Sequence, residues 1–268
     1  MKKISVLAFF ALIILSSSCV SYITPNMSGD SNIAYLPRPL KADSVKSKIY
    51  LSGEYASSSP KGNLLMNSGL INLSRGHTFK KLNFAYGLFG FFGNASYQDS
   101  SIDRYSSQTI ENFKRSFYGF GLRSAIGLQL VKNDFNFRYV NWENAFSSEF
   151  GEYAQYRKLL YDGPQSNGSE TVYVNKRTSF YTTGLSTEAI WSNAFNDKNS
   201  QIGLRFFAGI TPGLRNHFKE VNNQTIKNDQ NNIAIILSSF IKFHQAFLNL
   251  QIGSEINTSI KIGLGYAF

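Results

Sequence analysis

One thiol, three imidazoles and a sparse set of charges are the groups in this 268-residue chain that carry chemistry. Cys19 is the single cysteine, so no disulfide forms within the chain. It follows Met1-Lys2-Lys3, an apolar run from Ile4 to Leu15 and the small residues Ser16-Ser17-Ser18. A basic start, a short apolar stretch and small residues describe a secretory segment, residues 1–18, that is cut away. The sulfur of Cys19 then becomes an acylation site on the first mature residue. The apolar run is shorter than the about 20 residues a membrane-spanning helix needs. Cleavage by an ordinary signal peptidase, with Ser16 and Ser18 as its small residues, is the alternative outcome.

His77, His217 and His244 do not stand at ligand spacing from one another, and there is no second cysteine, so neither a metal nor a cofactor is expected. His217 lies beside Lys219 and Glu220 in a long connection. Joined by an aspartate or serine from 98–115, it would make a hydrolase at a rim. An exposed loop histidine with no fixed partner activates nothing, and the expectation is a chain without catalytic residues.

The elements that must position these groups follow from composition. Charged residues are 16% of the chain, aromatic residues 15%, and mean hydropathy is −0.19. So few charges and so many rings do not make a soluble surface, yet no second apolar run is long enough to span as a helix. A closed sheet with a lipid-facing and an interior-facing side satisfies both facts. The net charge of +10 comes from scattered Lys and Arg without a basic helix or cluster, which argues against nucleic acid as a partner.

Period-two alternation bears this out along the chain. Tyr118, Phe120, Leu122, Ile126, Leu128 and Leu130 share one face, opposite Gly119, Gly121, Arg123, Ala125, Gly127 and Gln129. Ile260, Ile262, Leu264, Tyr266 and Phe268 stand opposite Lys261, Gly263, Gly265 and Ala267. The polar face is mostly Gly, Ala and Ser with single charges, as a narrow lumen requires. The prediction is an all-β, antiparallel, up-and-down transmembrane β-barrel of about ten strands (roughly 8 to 12), near 48–56, 64–74, 80–97, 116–131, 135–147, 178–193, 201–213, 231–244, 246–254 and 258–268. The connections 98–115, 148–177 and 214–230 are long, whereas those at 132–134, 194–200 and 244–245 are short. Short turns belong to the periplasmic side of outer-membrane barrels, which puts both ends of the barrel domain, residues 48–268, on that side. Trp191, Tyr266 and Phe268 then form a periplasmic aromatic girdle.

By strand parity Arg123, Arg138, Arg205, Lys242, Lys261, Glu188 and Glu255 point into the lumen as a charge network, and Phe89 and Phe91 narrow it. Small barrels are filled by their own side chains, so the leading reading is a plug of paired polar groups. A thin anion-preferring pore with an arginine ladder is the alternative. Residues 19–47 read as a lipidated amino terminus followed by an extended, proline-bearing tether with a reach on the order of 90 Å at ~3.3 Å per residue. In the 148–177 connection, Tyr153, Tyr156, Tyr161 and Tyr173 interleave with Arg157, Lys158, Lys176 and Arg177, a composition suited to sugars or a protein partner.

The residues ahead of Cys19 resemble the lipobox of bacterial lipoproteins, with Leu15 one step further from the cysteine than that motif places its leucine. The terminal Phe268 behind alternating apolar residues resembles the signal read by the outer-membrane assembly machinery. Cys19-Val20-Ser21-Tyr22-Ile23-Thr24-Pro25-Asn26, the tether and a first strand at Lys48-Ile49-Tyr50-Leu51-Ser52-Gly53-Glu54 resemble lipoproteins of Bacteroidota whose mature part is an outer-membrane barrel. Asp43-Ser44-Val45 resembles that phylum's O-glycosylation signal, with Ser44 as acceptor. The resemblance implies outer-membrane lipid, lipopolysaccharide and the assembly machinery as partners, with room for an envelope protein. The lack of acidic residues in Val20 to Thr24 implies a lipid anchor facing the periplasm. The expected role is structural or interactive.

Overall fold

The alternating segments close on themselves in the computed structural model of the protein, which describes residues 20–40, 46–60, 62–98, 110–132, 134–163, 171–195, 197, 199–221 and 233–268. The signal segment, Cys19 and Ser44 lie outside these residues. In chain order the elements are β1 (Val20–Ile23), β2 (Ser47–Pro60), β3 (Leu64–Thr78), β4 (Leu82–Tyr97), β5 (Phe113–Lys132), β6 (Phe135–Phe150), α1 (Glu152–Asp162), β7 (Thr171–Asn175), β8 (Ser179–Ser192), β9 (Ser200–Ile210), β10 (Phe218–Glu220), β11 (Ala234–Phe243), β12 (Ala246–Ser254) and β13 (Asn257–Ala267). Ten of the strands form one closed barrel in which each pairs antiparallel with its sequence neighbours. β13 returns to β2 from Asn257↔Pro60 to Ala267↔Tyr50, and this seam removes every free edge.

The expected alternation decides which way the wall faces. On β5, Tyr118, Phe120, Leu122 and Leu130 are exposed, while Gly121, Arg123, Ala125 and Gln129 are buried. On β13, Ile260, Ile262, Leu264 and Tyr266 face outward. A belt of exposed Leu, Ile and Phe around a closed sheet is the exterior of a membrane-spanning barrel, because lipid covers it and no backbone edge is left unpaired. Among the described residues no helix is long and apolar enough to cross a membrane. Short hairpins join strands at one rim, and His244 there takes the positive φ (55°) that a two-residue hairpin loop favours. The long connections 98–112, 151–178 and 211–233 all leave the opposite rim.

β1, β7 and β10 make a small separate sheet at that long-connection rim. β1 runs parallel to β7, with Val20↔Thr171 to Ile23↔Val174, and β10 pairs antiparallel on β7's other edge. The residues 20–40 of the segment read as an extended tether pack against the wall. Residues 24–40 lie inside the barrel, nearly all of them buried. The physical reason is in the residues themselves: Ile23, Met27, Ile33, Tyr35, Leu36 and Leu40 are apolar groups that the lumen removes from water. In the outer half, Ile23 and Met27 join wall residues Leu64, Met66, Leu70, Phe89, Phe91 and Phe117 in one apolar core, capped by Tyr153, Val172 and Val174. Each fully buried side chain of this kind contributes roughly 1.5–3 kcal/mol. Gly29 shows how tight the fit is: its φ is +55°, and a Cβ there would stand 1.5 Å from Glu255 Oε2.

Candidate functional site

Among the described residues the lumen collects the buried charges, in layers along residues 24–40. Nearest the long connections, Glu149 of β6 pairs with Arg157 of α1. Its other oxygen accepts the backbone N–H of Asn26 at 2.8 Å. Tyr153 Oη donates to Thr24 O at 2.6 Å. Midway down, Lys261 Nζ donates to Ser31 O (2.5 Å) and Ile33 O (2.9 Å), and Gln251 Nε2 donates to Ile33 O at 2.9 Å. Arg123 Nε donates to Asn32 O at 2.8 Å while Nη1 reaches Asn72 Oδ1 at 2.6 Å. The same guanidinium lies 3.7 Å over the Phe89 ring. Nearest the short turns, Glu188 is shared by Arg138 (2.7 Å) and Arg38 (3.1 Å), and Arg138 Nη2 also donates to Pro39 O at 3.3 Å.

The structure places Arg123, Arg138, Arg205, Lys242, Lys261 and Glu188 in the lumen, all buried. Phe89 and Phe91 also point inward. Glu255 sits in the 255–256 turn at the long-connection rim, its carboxylate turned in against Gly29 of the lumenal segment. Burial first, and the nearby Asp30 carboxylate second, push its carboxyl up to about 8.

Several members were not legible from parity. Asp30 and Arg38 come from the segment read as a tether. Glu143, which holds Arg205 at 2.5 Å, and Glu149 lie on β6 beyond a register shift between Arg138 and Asn141. Strict alternation from an inward Arg138 turns Glu143 outward; the extra residue of a bulge turns it back. A signal did exist, since the inward cations counted from the wall exceed its inward acids and call for a partner.

Trp191, Tyr266 and Phe268 are exposed at the short-turn rim. Tyr266 and Phe268 rings meet edge-on at 5.0 Å, and Phe268 N donates to Ile49 O at 2.9 Å across the closing seam. His77 is on β3, stacked on Phe84 and Tyr86 at 6.2 and 5.9 Å. His217 sits in a short 3-10 turn, and burial with the Arg177 charge lowers its pKa. Its imagined partners at 99–109 lie outside the described residues. Among the described residues no group of three or more His, Cys, Asp or Glu is placed to hold a metal ion. In the 151–178 connection Tyr153 and Arg157 are fully buried and Tyr173 is stacked on Tyr22 at 5.3 Å. That leaves Tyr156, Tyr161, Lys158 and Lys176 toward the surface, with Lys176 Nζ 4.3 Å from the Tyr161 ring.

No family model and no curated protein matches the sequence. Among solved structures the chain is similar to an outer-membrane channel from Pseudomonas putida F1, at 9% identity over 87% of this chain and 100% of that one, with TM-score 0.39. It is similar also to the beta domain of the Bordetella autotransporter BrkA, at 12% identity over 84% and 100%, with TM-score 0.41. A third is the P. putida toluene transporter TodX, at 11% identity over 92% and 94%, with TM-score 0.36. Similarity at this level goes no further than a barrel, and the fold stands on the closed wall and its apolar exterior.

Proposed function

We propose that this chain is a self-plugged β-barrel of the bacterial outer membrane with a structural or interaction role, acylated at Cys19 and without catalysis. The observation that carries the reading is the segment 24–40 inside the lumen. It takes up the charges that an anion pathway would have to leave facing water: Arg123 and Lys261 are engaged by its carbonyls, and Arg138 shares Glu188 with Arg38. A conducting arginine ladder needs weak, exchangeable contacts, whereas these side chains are buried and hydrogen-bonded. An enzyme reading finds no support at His217, whose charged neighbour is a cation. The surface left for a partner, lipopolysaccharide or an envelope protein, is the long-connection face with Tyr156, Tyr161 and Lys176. The girdle role of Trp191, Tyr266 and Phe268, the assembly signal at Phe268 and glycosylation at Ser44 belong to the same proposal.

Planar-bilayer recording tests it. The purified protein should be electrically silent, and deletion of residues 21–40 should open ohmic steps while heat-modifiable gel migration persists. Anion-selective steps from the intact chain, abolished by Arg123→Ala, would overturn the plugged reading in favour of a channel.

A further inference from the structure

The path of the plug sets the rim at which Val20 stands. Thr24 and Asn26 meet Tyr153 and Glu149 at the long-connection rim. Asn32 meets Arg123 midway. Arg38 meets Glu188, and Pro39 O accepts from Thr78 at the last residue of β3, beside the short turns. Ser47 then starts β2 from that same short-turn rim. The segment thus crosses the barrel once, from the long connections down to the short turns. Its start is fastened at the upper mouth by the β1–β7 ladder and by Tyr22, whose ring stacks on Tyr173 at 5.3 Å and meets Phe218 edge-on at 5.6 Å.

We propose that the barrel exports its own amino terminus, presenting the residue bonded to Val20 on the long-connection face, which is the cell surface. This rests on the outer-membrane reading above. Any acyl chain on Cys19 enters the outer leaflet, the reverse of the periplasmic placement that the sequence after the cysteine implied. No modified end has to be pushed through a finished ring. Lys261, which holds Ser31 and Ile33, is on β13, and β13 is the strand whose pairing with β2 closes the wall. The strand that closes the wall is thus also one that grips the segment. Withdrawal would strip Arg123 and Lys261 of their buried carbonyl partners and Glu188 of Arg38 together, which opposes release of the segment.

The test uses the full chain in intact cells, with a peptide tag inserted between Cys19 and Val20, after Asp134 in a short turn, or within 164–170 in a long connection. The amino-terminal tag should be stained by antibody on unpermeabilised cells and removed by added protease, as the 164–170 tag is. The Asp134 tag should need permeabilisation. An amino-terminal tag protected like the Asp134 tag overturns the proposal. If the 164–170 and Asp134 tags fail to segregate, the membrane reading itself has failed. Because a tag can disturb β1, a second measurement uses Tyr22→Cys with Tyr173→Cys, residues directly opposite in the ladder. Oxidative cross-linking that shifts gel migration supports the proposal, and its absence in folded barrel refutes it.

Discussion

Glu188 is the counterion of two arginines at once, and the order of damage on removing its partners is fixed by that fact. It holds Arg138 of the wall at 2.7 Å and Arg38 of the plug at 3.1 Å, and all three side chains are buried. Glu188→Ala leaves two neighbouring guanidiniums with no carboxylate. Breaking a buried pair from one side costs about 3–5 kcal/mol, because a charge remains without a partner. Arg38→Ala leaves the Arg138–Glu188 pair intact and removes charge-assisted hydrogen bonds, with a cost of about 1.5–3 kcal/mol. The separation, on the order of 1.5 kcal/mol, is about tenfold in the unfolding equilibrium. Urea unfolding from lipid vesicles measures it, since the chain's two tryptophans, Trp142 and Trp191, are exposed on the wall and report the exchange of lipid for water. Glu188→Ala should be the weaker protein, and Arg38→Ala combined with Glu188→Ala should cost less than the sum. Equal losses from the two single variants, or an additive double variant, would refute the shared counterion.

Two further outcomes follow from the rim and from the exterior. The Glu255 carboxyl, raised to about 8, favours the fold below its ordinary value of 4.5, and that contribution is lost as pH rises through 8. Vesicle unfolding between pH 6 and 9 should show stability declining with pH, and Glu255→Gln should flatten the decline; an unchanged slope in that variant rules out Glu255 as the source. Leu264 is 68% exposed on the outer face of β13. Leu264→Arg should cost about 2–4 kcal/mol in the same assay if lipid covers this face, and a neutral substitution would show that water does.

How much of this was readable before the fold is clear from particular residues. Alternation in 116–131 and 258–268 located strands and faces, because the side-chain period of a strand is a local property of the backbone. It also placed Arg123, Arg205 and Lys261 inward. The same rule failed at Glu143 and Glu149, since a single extra residue in β6 inverts parity and leaves no mark in composition. It failed more completely for 20–40, where prolines and polar residues hid the apolar set Ile23, Met27, Ile33, Tyr35 and Leu36.

The sequence by itself determined an antiparallel barrel of roughly 8 to 12 strands, the lipid-facing stripe and the rim at which both barrel ends lie, and the closed wall settled the count at ten. These depend on period two and on loop lengths, quantities written along the chain. Only the tertiary structure decided what fills the lumen, which carboxylate answers which arginine and at which mouth Val20 stands. Those depend on pairings between residues as far apart as Arg38 with Glu188 and Ser31 with Lys261, whose free energy exists only when the wall has closed around the segment. No local pattern encodes such a contact, because neither partner's neighbours along the chain are altered by it.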